Sequence, residues 1–424
     1  MHSDTPPTAL GLLSTRRFWP LALSQAASAL VDNLVKNAMV VLAVFGSGNQ
    51  GTAFAALAGA LFIAPYAILS ATAGQLADRL AKPRLILLTK YAELALLVLA
   101  ALGFFLTSTP ILLAVMFGLG VQAALFSPLK YGILPELLSG RELLAGNGLI
   151  EASTFVAILL GTVAGGALVI LPGGSVIVAV LGLAVSLSGL LAARAIPALP
   201  PAATELQLDW NLYAETTRVL AAARHIPIIW RSLLGISWFW ALGATVLAEF
   251  PALVRDELGA GGAVVTLLLT IFALGVGIGS VACGKLLHGA LTPRLVPWMG
   301  LGMTLFLADF AWTASATTTL PTISAMLTSL QGWRLIADLL LLTACGGAYS
   351  VPLYALVQAN APHDARARMI AANNIANAIA MVVGGVAIAV LAALGLAAST
   401  TLLATAVLNA LVAAWAWKCF RPRR

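Results

Sequence analysis

Near the start of the chain, one apolar stretch contains an acid, a base, an amide and a hydroxyl group at helical spacing. Asp32 and Lys36 stand one turn apart. Gln25 and Ser28 precede them on the same narrow face of a helix, and Asn33 lies on its flank. A charged side chain at the centre of a bilayer costs at least about 2.5 kcal/mol, so such a stripe is tolerated only against protein or a water-filled cavity. The pattern therefore predicts that this helix lines the pathway of a polar ligand.

An alternative for this stretch is that Asp32 and Lys36 form an ion pair that only fixes helix packing. A second acid lies in a later apolar run, where Asn147 and Glu151 again stand one turn apart. We expect both residues in the same pathway; the alternative is a protonated Glu151 that is hydrogen-bonded within its own bundle. The sequence assigns no role to four further charged residues in apolar runs: Lys90, Glu93, Asp309 and Asp338.

Pro128 and Pro135 flank a polar group formed by Lys130 and Tyr131. Two prolines this close together predict a break in the helix, and carbonyl groups freed at a break can line a cavity. Two interpretations of Lys130 stay open. Either its ammonium group meets a phosphate in the pathway, or it extends to the membrane interface.

The composition is that of a polytopic membrane protein. Of the 424 residues, 61% are hydrophobic and only 9% are charged, where an ordinary soluble protein has about 25% charged residues. Apolar runs of about 20 residues recur roughly twelve times along the chain. We expect an all-α fold with a six-helix bundle in residues 1–195, a cytoplasmic linker with an amphipathic helix in residues 196–227, and a second six-helix bundle in residues 228–424.

The basic residues, which give a net charge of +7, alternate from loop to loop and form no single patch. This distribution argues against a nucleic-acid partner, and by the positive-inside rule it places both termini in the cytoplasm. The three cysteines, Cys283, Cys345 and Cys419, are scattered. We therefore expect no disulfide framework, no metal site and no cofactor.

Short motifs recur between the two halves and indicate a duplication. Residues 74–76 (GQL) and 83–85 (PRL) return as residues 284–286 (GKL) and 293–295 (PRL) at one constant spacing. Two parallel six-helix repeats are typical of transporters that bind their substrate between the halves.

Residues 74–84 (GQLADRLAKPR) resemble the signature of the major facilitator superfamily between its second and third spans. The resemblance implies a cytoplasmic gate formed by Gly74, Asp78 and Arg79. Gly74 permits close helix approach, and Asp78 can bind the N-terminus of a neighbouring helix, for which the eleventh span near Asp364 is the candidate. The alternative is a solvated turn whose charges only set the topology.

Three stretches resemble the bacterial lysophospholipid transporters of the LplT type, which are major facilitator proteins of the inner membrane. They are residues 32–37 (DNLVKN), residues 127–135 (SPLKYGILP), and residues 145–161 with the core AGNGLIEAST. The resemblance implies the major facilitator fold with 12 transmembrane helices in two six-helix halves. The residues of these stretches that we expect to bind substrate are Asp32, Asn33, Lys36, Lys130, Tyr131, Asn147 and Glu151.

The resemblance also implies a function. Such a transporter, or flippase, moves lysophospholipids from the outer to the inner leaflet of the bacterial inner membrane by alternating access, for reacylation by an acyltransferase. We expect no enzymatic activity in this chain, lysophospholipid and membrane lipids as its ligands, and a separate acyltransferase at the cytoplasmic face as a partner. Asp32 suits an ammonium group, and Lys36 or Lys130 suits a phosphate. The alternatives are a major facilitator exporter of drugs or small solutes, and a non-transporting membrane sensor or scaffold.

Overall fold

Long helices make up the chain in the computed structural model, which describes residues 9–47, 50–317 and 319–420. No strand occurs in these residues, so the all-α class is confirmed. A helix of about 20 residues is long enough to cross the hydrocarbon core of a bilayer. The long helices are α1 (Trp19–Ser47), α2 (Gln50–Arg79), α3 (Lys82–Phe105), α4 (Thr109–Gly132), α5 (Gly140–Val169), α6 (Gly174–Ala193), α7 (Pro227–Ala252), α8 (Gly262–Leu286), α9 (Val296–Ala316), α10 (Leu330–Asn360), α11 (Arg366–Ala393) and α12 (Ala398–Phe420).

Eleven of these helices, α2 to α12, are long and apolar enough to be membrane spans within the part of the chain that the structure describes. The remaining long helix is α1, which has 29 residues and carries the polar stripe around Asp32. The number of long helices in the described chain thus agrees with the predicted twelve.

The predicted helix break at two prolines is wrong for Pro128, which lies inside α4. Its missing N–H removes one backbone hydrogen bond, but the turns on either side continue the helix. The chain leaves α4 after Gly132 and makes a short helix, Leu134–Leu137, with Pro135 in its first turn. Proline is tolerated in the first turn because the N–H it lacks has no partner there.

The described chain folds into two compact units. Each unit contains a segment from the opposite half of the sequence: residues 357–378 belong to unit 1 and residues 147–155 to unit 2. Unit 1 otherwise comprises residues up to 146 and 156–230, and unit 2 comprises 231–356 and 379 onward. The division into bundles 1–195 and 228–424 follows chain order and stays a prediction.

Within unit 1, the apolar face of α1 fixes the direction of its polar face. Val31, Leu34 and Ala38 are buried in one apolar cluster, at a spacing that places them on one side of the helix. Gly161 and Gly165 of α5 lie so close to α1 that a Cβ atom at either would come within 2.3 Å of a backbone oxygen of α1. Small residues allow this approach, and α1 is therefore held in one rotation.

The linker contains the predicted helix, over a shorter range. Within residues 196–227 the long helix is Leu212–Arg224, which begins there because Asn211 accepts a hydrogen bond from the N–H of Ala214 at 3.0 Å and caps its start. Val219 is buried in unit 1, whereas Tyr213 is 80% exposed. The surface position of this helix on the membrane stays a prediction.

Candidate functional site

Asp32 is the central residue of the predicted pathway, and it is buried in unit 1. Its relative exposure is 7%, and its Oδ1 atom has no hydrogen-bond partner among the described residues. A buried carboxylate without a partner is costly, because its charge is neither solvated nor compensated. The site therefore has a specific need for a hydrogen-bond donor or a cation at this atom.

Lys36 does not supply that partner. Its ammonium group donates to Oδ1 of Asn33 at 3.0 Å and lies 5.8 Å from the ring centre of Phe62. In the described part of unit 1, no ion pair joins Asp32 to Lys36. The alternative in which these two residues form a packing ion pair is therefore not what the structure shows. Asn33 donates in turn to the carbonyl of Ala29 at 2.8 Å, which fixes its orientation.

A charged network lies beside this helix face, and sequence reasoning left it unassigned. Lys90 and Glu93 are completely buried and form an ion pair at 3.1 Å. Ser28, one turn before Asp32, donates to Glu93 and accepts from Lys90. Gln122 and Ser186 also donate to Glu93, at 3.2 and 2.8 Å. Lys90 is occupied by Ser28 and Glu93, and no side chain of the network donates a hydrogen bond to Oδ1 of Asp32.

A signal for this network exists in the sequence. Lys90 and Glu93 stand three residues apart within an apolar run, a spacing at which opposite charges pair on a helix. Gln122 of α4 and Ser186 of α6 stand 29 and 93 residues from Glu93 in the chain. Nothing in their local sequence indicates that they bind it.

Lys130 and Tyr131 lie at the end of α4 in unit 1. Tyr131 is buried with 6% exposure, and Lys130 is half-buried with its ammonium group 5.0 Å from the Tyr131 ring centre. An ammonium group over an aromatic face keeps its charge while it is partly desolvated. The two interpretations of Lys130 both stay predictions.

Asn147 and Glu151 belong to unit 2, through the segment 147–155 of α5. Both are buried, and Ser350 of α10 donates to Glu151 at 2.6 Å. A Cβ atom at Gly148 would lie 2.4 Å from the carbonyl oxygen of Ser280, so α5 and α8 touch through their backbones here. Glu151 is thus held within a close helix contact.

Aromatic side chains surround this segment of α5. Phe155 stacks on Trp240 with ring centres 5.9 Å apart and an angle of 17°. The indole of Trp240 donates to the hydroxyl of Tyr354 at 2.9 Å, and that of Trp238 donates to Asn409 at 2.7 Å. Both tryptophans therefore pack inside unit 2, since their N–H groups are bonded within the protein.

The signature residues of α2 hold the start of α11 within unit 1. The carboxylate of Asp78, which is fully buried, accepts hydrogen bonds from the N–H groups of Ala367 and Arg368 at 2.9 and 3.1 Å, and pairs with the Arg368 guanidinium at 3.2 Å. A Cβ atom at Gly74 would lie 2.8 Å from that of Ala371. This is the helix-terminus contact that the motif predicts. Arg79 is half-buried at the end of α2.

The same residue also holds the linker. The carbonyl oxygen of Asp78 accepts from the N–H groups of Ala202 and Ala203 at 3.1 and 2.9 Å. One turn earlier, Gln75 exchanges two hydrogen bonds with the backbone of Asp209, at 2.9 and 3.0 Å. The backbone N–H of Asn211 and the Arg218 guanidinium hold the pKa of the Asp209 carboxyl below its usual range. Asp209 is therefore ionised at neutral pH, and its ion pair with Arg218 is present there.

No group of three or more histidine, cysteine or acidic side chains that could hold a metal ion occurs in the residues that the structure describes.

The long apolar helices define a multi-pass membrane protein with a buried acid in α1 and with Asp78 bound to the start of α11. The model of the Major Facilitator Superfamily matches residues 21–385, and the chain belongs to this superfamily. Similar relatives carry the name lysophospholipid transporter LplT. The protein from Serratia proteamaculans (strain 568) is 34% identical over 331 residues, which cover 76% of this chain and 75% of the relative. The protein from Salmonella newport (strain SL254) is 34% identical over 308 residues, which cover 70% and 69%.

Solved structures agree with the fold. The crystal structure of the human organic anion transporter MFSD10 (TETRAN) matches with a TM-score of 0.72 at 16% identity, covering 97% of this chain and 100% of that chain. A bacterial homologue of the iron transporter ferroportin in its outward-facing state matches with a TM-score of 0.68 at 15% identity, covering 95% and 100%. These likenesses and the family match confirm the predicted major facilitator fold and the resemblance to the LplT-type transporters.

Proposed function

We propose that this chain is a lysophospholipid transporter of the bacterial inner membrane, with both termini in the cytoplasm. It moves lysophospholipids from the outer to the inner leaflet by alternating access, and a separate acyltransferase then restores the second acyl chain. The proposal is supported by the 34% identity to transporters named for this substrate and by the chemistry of the pathway residues.

The observation that carries the proposal is the buried Oδ1 atom of Asp32, which has no partner among the described residues. An ethanolamine head group has an ammonium that can donate to this atom and neutralise its charge, which forms a strong, charge-assisted hydrogen bond. The nearby Lys90 is already paired with Glu93, so it does not compete for Asp32.

The phosphate of the substrate requires a cation. Lys36 and Lys130 are both half-buried in unit 1. In such surroundings the electrostatic attraction between a phosphate and an ammonium group is stronger than it is in water. We assign Asn33 and Tyr131 to the same head-group site, and Asn147 and Glu151 to the part of the pathway contributed by unit 2.

Alternating access requires a contact that forms and breaks. We assign this role to Asp78, Gly74 and Arg79, since the carboxylate of Asp78 binds the first N–H groups of α11 in the described state. Basic residues concentrate on the same loops, and by the positive-inside rule this end of the helices faces the cytoplasm.

Replacing Asp32 with asparagine tests the head-group site. Asp32→Asn keeps the size of the side chain and removes its charge, so we expect the initial rate of lysophosphatidylethanolamine uptake into proteoliposomes to fall at least about tenfold, the effect of losing one charge-assisted hydrogen bond. Asp256→Asn is the matched control, because Asp256 is exposed and pairs only with its neighbour Arg255 in the described chain.

Full uptake by Asp32→Asn, with the same elution profile as the parent protein, would contradict the assignment.

The same vesicles separate the alternative functions. Uptake or efflux of soluble drugs in preference to lysolipid identifies an exporter, and no movement of any substrate by the parent protein identifies a sensor or scaffold.

A further inference from the structure

A groove lies in unit 1 between α2, α3 and α4, and no residue of α1 lines it. Its volume is about 690 Å³. It is lined on α3 from Leu85 to Leu99 and on α4 from Phe117 to Leu129. Leu88 and Phe117 are 62% and 44% exposed, so the groove opens to the surface of membrane-spanning helices.

The lining is apolar with two exceptions, Thr89 and Gln122. The hydroxyl of Thr89 donates to the carbonyl of Ile86 at 2.8 Å. The amide nitrogen of Gln122 donates to Glu93 at 3.2 Å, whereas its buried Oε1 atom has no partner among the described residues. Apart from that one acceptor the groove offers hydrocarbon contacts along its length, and a strongly polar occupant would lose most of its hydrogen bonds there.

The length and the apolar lining of the groove suit a hydrocarbon chain. The lining from Leu85 to Leu99 rises about 21 Å along α3, at about 1.5 Å per residue. This length is about two thirds of the hydrocarbon core of a bilayer, which is about 30 Å thick.

A positive charge stands at one end of the groove. Arg84 is exposed and lies four residues before Leu88, so it shares the groove face of α3. Its guanidinium forms no ion pair within the described residues. The first turn of α3 contains no acidic residue, so the positive end of the helix dipole adds to the charge of Arg84. This end is complementary to a phosphate.

We propose that the groove is a binding site for a membrane glycerophospholipid, with one acyl chain between α3 and α4 and the phosphate on Arg84. The site is separate from the polar pathway of α1, and it does not depend on which substrate the chain transports. A lipid held here packs against Gln122 and thereby against the network of Lys90 and Glu93.

Photolabelling tests the groove directly. The protein is reconstituted in nanodiscs of phosphatidylethanolamine with a small fraction of phosphatidylglycerol that carries a diazirine in one acyl chain. After irradiation, mass spectrometry maps the labelled peptides. We expect label concentrated in residues 85–99 and 117–129. Ala95→Phe fills the groove from an exposed position and is expected to abolish most of this label.

Ala101→Phe is the matched control, because Ala101 lies on α3 and is partly exposed but does not line the groove. It is expected to leave the labelling unchanged. Arg84→Ala is expected to lower labelling at limiting probe about fivefold, the effect of one basic residue on an anionic lipid.

Three results would overturn the proposal. The first is label spread evenly over the lipid-facing helices, and the second is unchanged label in Ala95→Phe. The third is a cross-link from this face to a second copy of the chain, which would make the groove a dimer contact. Unchanged label in Arg84→Ala would overturn the assignment of the phosphate.

Discussion

The helices α5 and α11 hold equivalent places in the two halves of the sequence, but their first turns are held in different ways. At the start of α5, the chain caps itself: the N–H of Ser139 donates to Glu142 at 2.9 Å, and the two side chains complete a capping box. At the start of α11, the cap comes from another helix, because Asp78 of α2 accepts the N–H groups of Ala367 and Arg368.

Under the proposed alternating-access mechanism, the difference predicts which helix start is released. At α5 the Arg17 guanidinium also pairs with Glu142, but the N–H of Ser139 keeps its own acceptor if that neighbour moves. A helix that is capped from outside leaves buried N–H groups without partners when that neighbour departs, and these groups must then find water. The contact of Asp78 with α11 therefore suits a gate that opens to solvent, and the start of α5 suits a fixed support.

Glycines at two of these contacts allow α11 and α5 to lie close to their neighbours. Gly74 of α2 faces Ala371 of α11 within unit 1, and Gly148 of α5 faces the carbonyl of Ser280 within unit 2. Each contact has an acid beside it, Asp78 at the first and Glu151 at the second. At the place of Asp78 in the second repeat stands His288, which lies beyond the end of α8 with a φ of 51°.

Removal of the external cap has the largest expected effect. Asp78→Ala leaves two backbone N–H groups and the Nε–H of Arg368 without their acceptor, and we expect it to weaken the contact by about 3 kcal/mol. In a background without Cys283, Cys345 and Cys419, a cysteine in place of Ala367 should then react faster with a soluble maleimide.

Asp364→Ala is the matched control for this experiment. Asp364 is exposed near the same helix start and does not bind the N–H groups that Asp78 binds. We expect no change in maleimide reactivity, and an equal increase in both variants would remove the special role of Asp78.

Disruption of the glycine contact in unit 2 should have an intermediate effect on the stability of the protein. In Gly148→Ala the added Cβ atom would lie 2.4 Å from a backbone oxygen of α8, so the helices must move apart. We expect a loss of about 2 kcal/mol in stability and a lower midpoint of thermal unfolding in detergent. Gly385→Ala is the control, because a Cβ atom there meets nothing within 4 Å, and it should not lower the midpoint. Equal midpoints for Gly148→Ala and Gly385→Ala would show that the α5 contact tolerates separation of the helices.

Removal of the internal cap should have the smallest effect. Ser139→Ala deletes one side chain of the capping box, which is worth about 1 kcal/mol. Hydrogen exchange should become faster in the first turn of α5, while maleimide reactivity at position 367 stays unchanged. Increased reactivity at that position would mean that the two helix starts are coupled, which would contradict an independent cap on α5.

The internal repeats and the helical spacing of polar residues could be recognised from the sequence because both are local patterns. The repeat of residues 74–85 indicated the position of Asp78 at a helix end, and the structure places Asp78 on the start of α11. Pro128 shows the limit of local rules. Proline normally ends a helix, but α4 continues past Pro128 because the turns on either side keep their hydrogen bonds. The predicted substrate residues and their roles stay predictions.

The amino-acid sequence by itself determined the number of long helices, their membrane character and the face of α1 that carries Asp32, because burial of apolar side chains follows from periodicity alone. Only the tertiary structure decided which polar groups bind each other. Lys36 binds Asn33 and not Asp32, and Ser28 joins Lys90 and Glu93. The physical reason is that a hydrogen bond depends on the rotation and separation of helices far apart in the chain, and these are set by packing at glycines and apolar faces.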